Sequence, residues 1–394
     1  MAETLQQIIQ RFAIYGETEK GGISRTFGSS SYLQASLALK EYLQAAGIES
    51  YIDSVGNVHG IYGEADEEIV IASHLDTVVE GGMFDGLLGV AAGINCLLRL
   101  REEKVRLPYR IHLIATNGEE GNVLGGTFGS RCLMGEYEDY DLLENNDPIV
   151  VDAERMTMLN RQDIVNCRLD TAKIRSYIEL HIEQGNRLEK ENRNIGIVTG
   201  IVGLQRYKIS VQGRSNHSGT TMMEYRDDAL VKAARIIAYC DEQAKKYGQD
   251  FVATVSAVTI SPNALAVING NVEMTLECRN LDEKLMFQYI EDVKRFCISL
   301  KGIEIIRTVT KSPVICDEKI MDSIEMICQK KGISYIRMPS GATHDASIFG
   351  LKVPVGMIFI PSHEGISHNK EERSKWEDCN LGSEVLYEYV RTKI

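Results

Sequence analysis

The sequence predicts an α/β protein with a central, mostly parallel sheet and a second, inserted α+β domain. At 394 residues the chain is longer than one ordinary domain and suits two. Short apolar runs that are typical of buried strands alternate with helical segments in both terminal parts of the chain. The middle part has the order β-α-β-β-α-β instead, which is the ferredoxin-like pattern.

In the terminal parts, we predict buried strands at residues 69–72, 111–115, 178–182 and 357–360. Helices are predicted at 31–46, where Gly47 provides a C-terminal stop, and at 87–100. Because strands that alternate with helices pair in parallel, these elements predict one largely parallel sheet.

In the middle part, strands are predicted at 206–211, 251–260, 272–279 and 303–309, with helices at 227–245 and 282–299. This unit is complete in itself, so it is expected to interrupt a larger domain. We therefore predict one domain formed by residues 1–203 and 312–394, and an inserted domain formed by residues 204–311.

Composition and charge narrow the functional class. Hydrophobic residues make up 44% and charged residues 25% of the chain, as in ordinary soluble proteins. A net charge of -13 argues against a nucleic-acid partner. The sequence shows neither a signal peptide nor an apolar run long enough to span a membrane. Nine scattered cysteines, none in a C-x-x-C pair, fit reduced, buried thiols in a cytoplasmic protein.

Histidines and carboxylates recur just beyond the predicted strands, where ligands gather in open α/β sheets. Taken singly, each has an ordinary explanation, such as a helix N-cap for Asp85 or a solvated turn for an adjacent pair of glutamates. Together they form a set of imidazoles and carboxylates without a thiolate, which suits a metal such as zinc or manganese. The set is His74, Asp76, Asp85, Glu119, Glu120, His181 and His368.

Three of these segments, His-Leu-Asp-Thr at 74–77, the glycine-flanked Asp85 and Glu-Glu-Gly at 119–121, resemble the two-metal aminoacylase and carboxypeptidase-like (M20-type) hydrolases. Four more segments are similar to the amidase branch of that family, and they lie at 180–185, 216–222, 340–346 and 366–369. That branch includes allantoate amidohydrolase, N-carbamoyl-L-amino-acid hydrolase and β-ureidopropionase. The resemblance runs from about Gly21 to the C-terminus.

The resemblance implies a zinc-peptidase-like catalytic domain and two divalent metal ions, Zn²⁺ or Mn²⁺, in each subunit. It implies that His74 binds one ion, that Glu120 binds the other, and that Asp85 bridges both. His181 and His368 then complete the two ligand sets.

For catalysis, the resemblance implies that Asp76 holds the ring of His74 and that Glu119 is the general base. It further implies that the inserted domain is a lid through which a homodimer forms. His217, in the Asn-His-x-Gly-Thr-Thr motif, would then stabilise the oxyanion in the site of the partner subunit.

A small carbamoyl compound is the implied substrate, and hydrolysis would release ammonia and CO2. Arg279 is expected to hold its carboxylate, and Arg206 favours allantoate over an N-carbamoyl-L-amino acid. Ala266 departs from the family, which usually has an asparagine there, so the choice of substrate stays open. The further expected substrate contacts are Gln184, His217, Asn263, Gly341, Ala342 and His344.

Three other functions compete with this one. A metallopeptidase or aminoacylase acting on an acyl amino acid or dipeptide would share the metal centre and differ in its pocket. A non-enzymatic binding homologue would have lost a ligand or the base, and none is missing. A ferredoxin-like regulatory module would leave the metal-type residues unexplained.

Overall fold

The computed structural model describes residues 3–138, 140–156 and 158–392. The chain divides into two compact units, one formed by Met1–Gly200 and Ile315–Ile394 and the other by Ile201–Val314. The domain boundaries expected from the sequence lie three residues from each of these divisions.

Strands are found in both units. In chain order they are β1 (Glu49–Ile52), β2 (Val58–Tyr62), β3 (Glu68–His74), β4 (Arg110–Thr116), β5 (Ile174–Ile182), β6 (Ile195–Ile201), β7 (Gly203–Gln212), β8 (Val252–Ser261), β9 (Asn271–Asn280), β10 (Ile303–Lys311), β11 (Val314–Ile315), β12 (Tyr335–Ser340) and β13 (Val355–Ile360).

The α-helices are α1 (Leu5–Ala13), α2 (Ser30–Ala45), α3 (Leu87–Glu102), α4 (Phe128–Leu133), α5 (Tyr140–Leu143), α6 (Pro148–Arg155), α7 (Arg187–Lys190), α8 (Ala229–Ala244), α9 (Glu283–Ile298), α10 (Glu318–Lys331), α11 (Ala346–Phe349) and α12 (Trp376–Thr392). Every element predicted from the sequence is present, with ends that differ by a few residues.

The larger unit is built on a sheet with the order β1-β2-β4-β3-β5-β13-β6-β11, and β12 pairs with β6. The four central strands, β4, β3, β5 and β13, are parallel, whereas β1, β2 and β6 pair antiparallel at the flanks. Every residue of β3 is buried, which explains why it reads as a continuous apolar run rather than an alternating one. The carboxyl ends of the four parallel strands therefore meet at one edge.

Helix α3 packs directly against this parallel core, and two of its glycines allow the close approach. A Cβ at Gly89 would lie 2.4 Å from the carbonyl oxygen of Leu180, and one at Gly93 would lie 2.4 Å from Cδ1 of Leu113. Because the helix lies this near the sheet, the residues just before its first turn are brought to the carboxyl edge.

The smaller unit has a four-stranded antiparallel sheet with the order β10-β7-β9-β8. Helices α8 and α9 cover one face of it, and side chains from β7, β9 and both helices form its apolar core. Burial alternates along β7 and β9, as a sheet covered on one side requires. The unit therefore has the ferredoxin-like architecture that the sequence predicted.

Among the described residues, no helix combines the length and the apolar character that crossing a bilayer would need. All nine cysteines are buried, and none forms a disulfide.

The loop after β3 is anchored by a buried arginine, Arg25. Its guanidinium donates to the carbonyl oxygens of Leu75 at 2.6 Å, Tyr15 at 2.9 Å and Phe12 at 3.0 Å. Its backbone N–H donates to the hydroxyl of Thr77 at 2.8 Å. Burial lowers the pKa of Arg25 to about 10, against the opposing charge of Asp76. One side chain thus joins the N-terminal segment to the end of the central strand.

We predict that Arg25→Met lowers the free energy of unfolding by about 3 kcal/mol, because three buried carbonyl oxygens lose their donors. Arg155→Met is the control, since Arg155 is exposed and its ion pair within the described part of the chain is with Asp152, three residues away. It should change stability by less than about 0.5 kcal/mol. Urea unfolding of the three proteins measures both effects. Equal midpoints for Arg25→Met and wild type would show that Arg25 does not anchor this loop.

Candidate metal centre

Titratable side chains meet at the carboxyl edge of the parallel strands. His74 is the last residue of β3, Glu119 and Glu120 follow β4, and His181 lies near the end of β5. In the register of the sheet, β3 lies between β4 and β5, so these three ends are neighbours. His368 follows β13, and Asp85 precedes α3. The structure therefore brings together all five residues expected to bind metal.

Asp85 lies at the middle of this group and is only 5% exposed. Its Oδ1 lies 3.3 Å from Nε2 of His74 and 3.1 Å from Nε2 of His181. Its Oδ2 lies 3.3 Å from Nε2 of His368, which is also 3.2 Å from Oε1 of Glu120. The described residues form four groups of candidate ligands, and two of them, His74–Asp85–His181 and Asp85–Glu120–His368, share Asp85. The other two are His74–Glu119–Glu120 and Glu179–His181–His344.

The donor set fits divalent cations. Although two imidazole nitrogens lie close to Asp85 Oδ1, this buried oxygen receives no hydrogen bond of normal geometry from the described part of the chain. One group offers two imidazoles and a carboxylate, and the other offers one imidazole and two carboxylates. Zinc and manganese accept both kinds of ligand. Burial alone would raise the pKa of Asp85, but the imidazoles of His181, His368 and His74 hold it well below its usual value. The carboxylate is therefore held in the ionised form that a bridging ligand requires.

Two of the histidines are oriented by backbone carbonyls. Nδ1 of His74 lies 2.9 Å from the carbonyl oxygen of Asp76, and Nδ1 of His181 lies 2.9 Å from that of Ile182. A carbonyl can only accept, so each Nδ1 carries a proton. In the neutral ring the lone pair is then on Nε2, the atom that lies nearest Asp85 and that a metal ion would bind. Gly86 makes room for this arrangement, because a Cβ there would lie 2.5 Å from Nδ1 of His74.

Asp76 was expected to hold the ring of His74, and its side chain has a different contact. Asp76 contacts the ring of His74 through its carbonyl oxygen, while its carboxylate turns to the other loop. That carboxylate accepts the backbone N–H groups of Gly118 at 2.9 Å, Glu119 at 3.1 Å and Glu120 at 3.1 Å. Burial raises the pKa of Asp76 to about 6. Its side chain therefore shapes the turn that carries the two glutamates.

The two adjacent glutamates diverge. Glu120 faces His368, whereas Oε2 of Glu119 lies 4.0 Å from Nε2 of His74. Glu119 is buried, and burial raises its pKa well above the usual value. The two carboxylates thus occupy different places in the centre although they are consecutive in the chain.

Gln184, expected to contact substrate, lies against the candidate ligands. Its Nε2 donates to Asp85 Oδ2 at 3.0 Å and lies 3.3 Å from Nε2 of His368. Its backbone φ of 56° is in the left-handed region. His344 is also buried here, with its ring centroid 4.5 Å from that of His181. Burial lowers the pKa of His344 well below its usual value, so this ring is neutral.

The other expected substrate residues occupy less enclosed positions. In the larger unit, Gly341 is exposed after β12, and the carbonyl of Ala342 accepts from the hydroxyl of Ser340 at 2.9 Å. In the smaller unit, Asn263 has a φ of 51° and its N–H donates to Oδ1 of Asn269 at 2.9 Å.

The smaller unit also carries the expected substrate arginines and the expected oxyanion donor. Arg206 and Arg279 bind opposite oxygens of Glu277, at 2.6 Å and 2.8 Å. His217 is exposed, and its Nδ1 accepts the backbone N–H of Gly219 at 3.1 Å. This acceptor role places the ring proton on Nε2, which is the atom free to donate.

Several buried carboxylates near the centre were missed from the sequence, among them Glu372 and Glu179. Glu372 is 3% exposed and contacts the segment that carries Asp85. Burial and the charge of Asp85 raise its pKa to about 7. Glu179 lies inside the apolar strand β5, where its side chain accepts from Ser73 and Tyr177. A charged residue in such a strand was a visible signal, whereas nothing in the sequence distinguishes Glu372 from its neighbour Glu371.

Comparison with known proteins gives one consistent result. Residues 70–392 match the Peptidase family M20/M25/M40. The chain is 32% identical to allantoate amidohydrolase of Escherichia coli K12, with 98% of this chain and 96% of the relative covered. It is also 32% identical to an N-carbamoyl-L-amino acid amidohydrolase of Geobacillus stearothermophilus, with 98% and 97% covered.

A solved structure agrees with these relatives. An amidase of the hydantoinase/carbamoylase family from Burkholderia multivorans superposes with a TM-score of 0.90 at 26% identity, and the match covers 99% of this chain and 97% of that one. The chain therefore belongs to the metal-dependent Peptidase family M20/M25/M40, in its branch of hydrolases that act on non-peptide C–N bonds.

Proposed function

We propose that this protein hydrolyses a linear C–N bond of a small carbamoyl compound with two divalent metal ions, Zn²⁺ or Mn²⁺, in each subunit. The observation that carries the proposal is the position of the Asp85 carboxylate. One of its oxygens faces His74 and His181, and the other faces His368, which lies beside Glu120. Two ligand sets that share one carboxylate are the arrangement that a bridged pair of ions requires.

When bound, such ions polarise a carbonyl group and lower the pKa of water toward 7. The remaining chemistry belongs to the side chains. Glu119 lies beside His74 but apart from His368, so it is placed to accept a proton from the attacking water. It then delivers that proton to the leaving nitrogen. The amine leaves, and the carbamate that remains breaks down to ammonia and CO2.

We predict that Glu119→Gln keeps both metal ions and loses turnover by about 10²–10⁴-fold, because only the proton acceptor is removed. Glu120→Gln is the matched comparison, since the adjacent residue is assigned as a ligand and its change should lower metal content. Metal analysis and ammonia release are measured on both variants. Near-normal turnover in metal-loaded Glu119→Gln would reject the assignment of the base.

A pocket beside the centre favours one class of carbamoyl substrate. It has a volume of about 500 Å³ and includes Glu120 in its wall. More of the wall surface is apolar than polar, and its apolar side chains are those of Phe27, Val78, Val79, Val123 and Ile149. The rest of the wall is formed by Thr26, Asp76, Thr77, Gly121 and Asn122. We propose that this pocket receives the side chain of an N-carbamoyl-L-amino acid. The second ureido group of allantoate would lie mainly against apolar surface there, which cannot satisfy its hydrogen bonds.

The feature that favours allantoate is Arg206, which pairs with Glu277 in its own unit. Arg279 shares the same glutamate, and we propose that it exchanges this contact for the substrate carboxylate. One relative is named for allantoate and the other for an N-carbamoyl-L-amino acid, so their names do not distinguish the two substrates. We therefore base the proposed substrate on the pocket.

We predict that an N-carbamoyl-L-amino acid with a large apolar side chain is hydrolysed with a higher kcat/KM than N-carbamoylglycine or allantoate. Val123→Asp should lower that value by about 10-fold or more, since it places a charge in the apolar wall, and should leave N-carbamoylglycine within about 3-fold. Leu351→Asp is the control, because Leu351 is exposed and lies outside this pocket.

Ammonia release from the carbamoyl compounds, together with amine release from a dipeptide and an acyl amino acid, decides between the candidates. Highest turnover on allantoate would overturn the role of the pocket and support Arg206. Cleavage of the dipeptide or the acyl amino acid alone would replace the carbamoyl substrate by a peptidase or aminoacylase function.

We further propose that the smaller unit forms a homodimer and that His217 serves the site of the partner subunit as oxyanion donor. Strand β8 is the edge of its sheet and is exposed along most of its length, with Val252 and Val258 among the exposed residues. An exposed apolar edge strand supports association with a second chain.

If His217 acts across subunits, we predict that the inactive variants Glu119→Gln and His217→Ala complement each other when mixed. One site of each mixed dimer then has both groups and the other has neither. Random exchange makes about half of the dimers mixed, so activity should approach roughly a quarter of wild type. Glu119→Gln mixed with Glu120→Gln is the control and should stay inactive. Exchanged subunits without recovered activity would reject the role of His217.

A further inference from the structure

Glu372 connects two segments of the chain that are far apart in sequence. Its Oε1 accepts the backbone N–H groups of Phe84 and Asp85, both at 3.0 Å. Its Oε2 lies 3.0 Å from the hydroxyl of Ser367, which lies 3.1 Å from Oδ2 of Asp85. One carboxylate thus contacts the backbone of the candidate bridging ligand and the residue before His368.

The fit between these segments is close. A Cβ at Gly82 would lie 2.3 Å from Oε1 of Glu372, so the segment that leads to Asp85 wraps around this carboxylate only because it has a glycine there. The backbone of Glu372 also closes its own loop, because its N–H donates to the carbonyl of Asn369 at 3.0 Å. The carboxylate is therefore enclosed and fixed from both sides.

The two candidate ligand groups differ in how much they depend on these contacts. His74 and His181 are buried, and each ring is held by a backbone carbonyl. His368 is about half exposed and has a φ of 55°, a strained conformation for a residue with a side chain. It therefore depends on its loop, and that loop is tied to Asp85 through Ser367 and Glu372.

We propose that Glu372 is a positioning residue that holds the Asp85–Glu120–His368 group at the geometry needed for its metal ion. The inference rests on the proposed two-metal function. Glu372 acts through the hydrogen bonds that its oxygens accept, and it is not itself a ligand. Both oxygens face donors of the protein, and Glu372 belongs to none of the candidate ligand groups of the described chain.

The test measures metal binding rather than turnover. Metal-free wild type, Glu372→Ala, Glu372→Gln and Glu371→Ala are titrated with Zn²⁺, and the two dissociation constants are obtained by calorimetry and metal analysis. Glu371 is the matched control, because it is the adjacent residue of the same type and is exposed. Thermal unfolding of the metal-free proteins reports whether each variant is folded.

We expect Glu372→Ala to raise the dissociation constant of the ion at the Asp85–Glu120–His368 group, called the second ion, by about 10–100-fold. The dissociation constant of the first ion, at the His74–Asp85–His181 group, should change by less than about 3-fold. Glu372→Gln should stay within about 3-fold of wild type for both ions, because its amide oxygen still accepts the two backbone N–H groups. Glu371→Ala should bind as wild type does. Ser367→Ala provides a second measurement if Glu372→Ala does not fold, and it should also weaken the second ion selectively.

Three results would overturn the inference. Unchanged binding by folded Glu372→Ala, or by Ser367→Ala where the first variant does not fold, would show that the contacts do not position this group. Equal weakening of both ions would indicate a general structural role. An equal loss of binding in Glu372→Gln and Glu372→Ala would assign the effect to the negative charge of Glu372 rather than to its hydrogen bonds. If wild type itself binds fewer than two ions, the two-metal function fails instead, so the two failures are distinguishable.

Discussion

The buried charge of Asp85 is the constraint on which the rest of the site depends. A carboxylate removed from water carries a large desolvation cost unless opposite charges or donors surround it. Here three imidazoles approach it, two at one oxygen and one at the other. Gln184 donates to the second oxygen, and the hydroxyl of Ser367 lies 3.1 Å from it. In the described part of the chain the first oxygen receives no hydrogen bond of normal geometry, although two imidazole Nε2 atoms face it, so a cation held between these atoms would satisfy it.

Parallel strands allow such a centre to form because their carboxyl ends lie at the same edge of the sheet. Neighbouring strands end at the same edge, so one residue from each loop reaches a common point although the loops are distant in sequence. Helix α3 completes the set, because its glycines allow it to lie close to β3–β5 and so present Asp85 at the same edge. The ligands are therefore positioned by the most deeply buried part of the sheet.

Strands whose residues are all buried, such as β3 and β13, could be predicted from the sequence because the chain at 69–72 and 357–360 is continuously apolar. Strands β1 and β12 were not, since they are short and partly exposed and carry no apolar run. Ligand types at strand ends indicated the centre, and the resemblance supplied individual roles. Neither indicated Glu372 or the N–H contacts of the Asp76 carboxylate, because hydrogen bonds to backbone groups depend on how two loops meet and leave no pattern in residue type.

Asp76 and Glu372 show the same physical device on two loops. Each is a buried carboxylate that turns its oxygens away from the ligand atoms and accepts consecutive backbone N–H groups, in one case at 118–120 and in the other at 84–85. Charge-assisted bonds of this kind are stronger than neutral ones, so they fix loops that have no regular structure. The turn fixed in this way carries both Glu119, which lies beside His74, and Glu120, which lies beside His368. In the proposed function, the different roles of Glu119 and Glu120 would therefore depend on the turn that Asp76 fixes through its carboxylate.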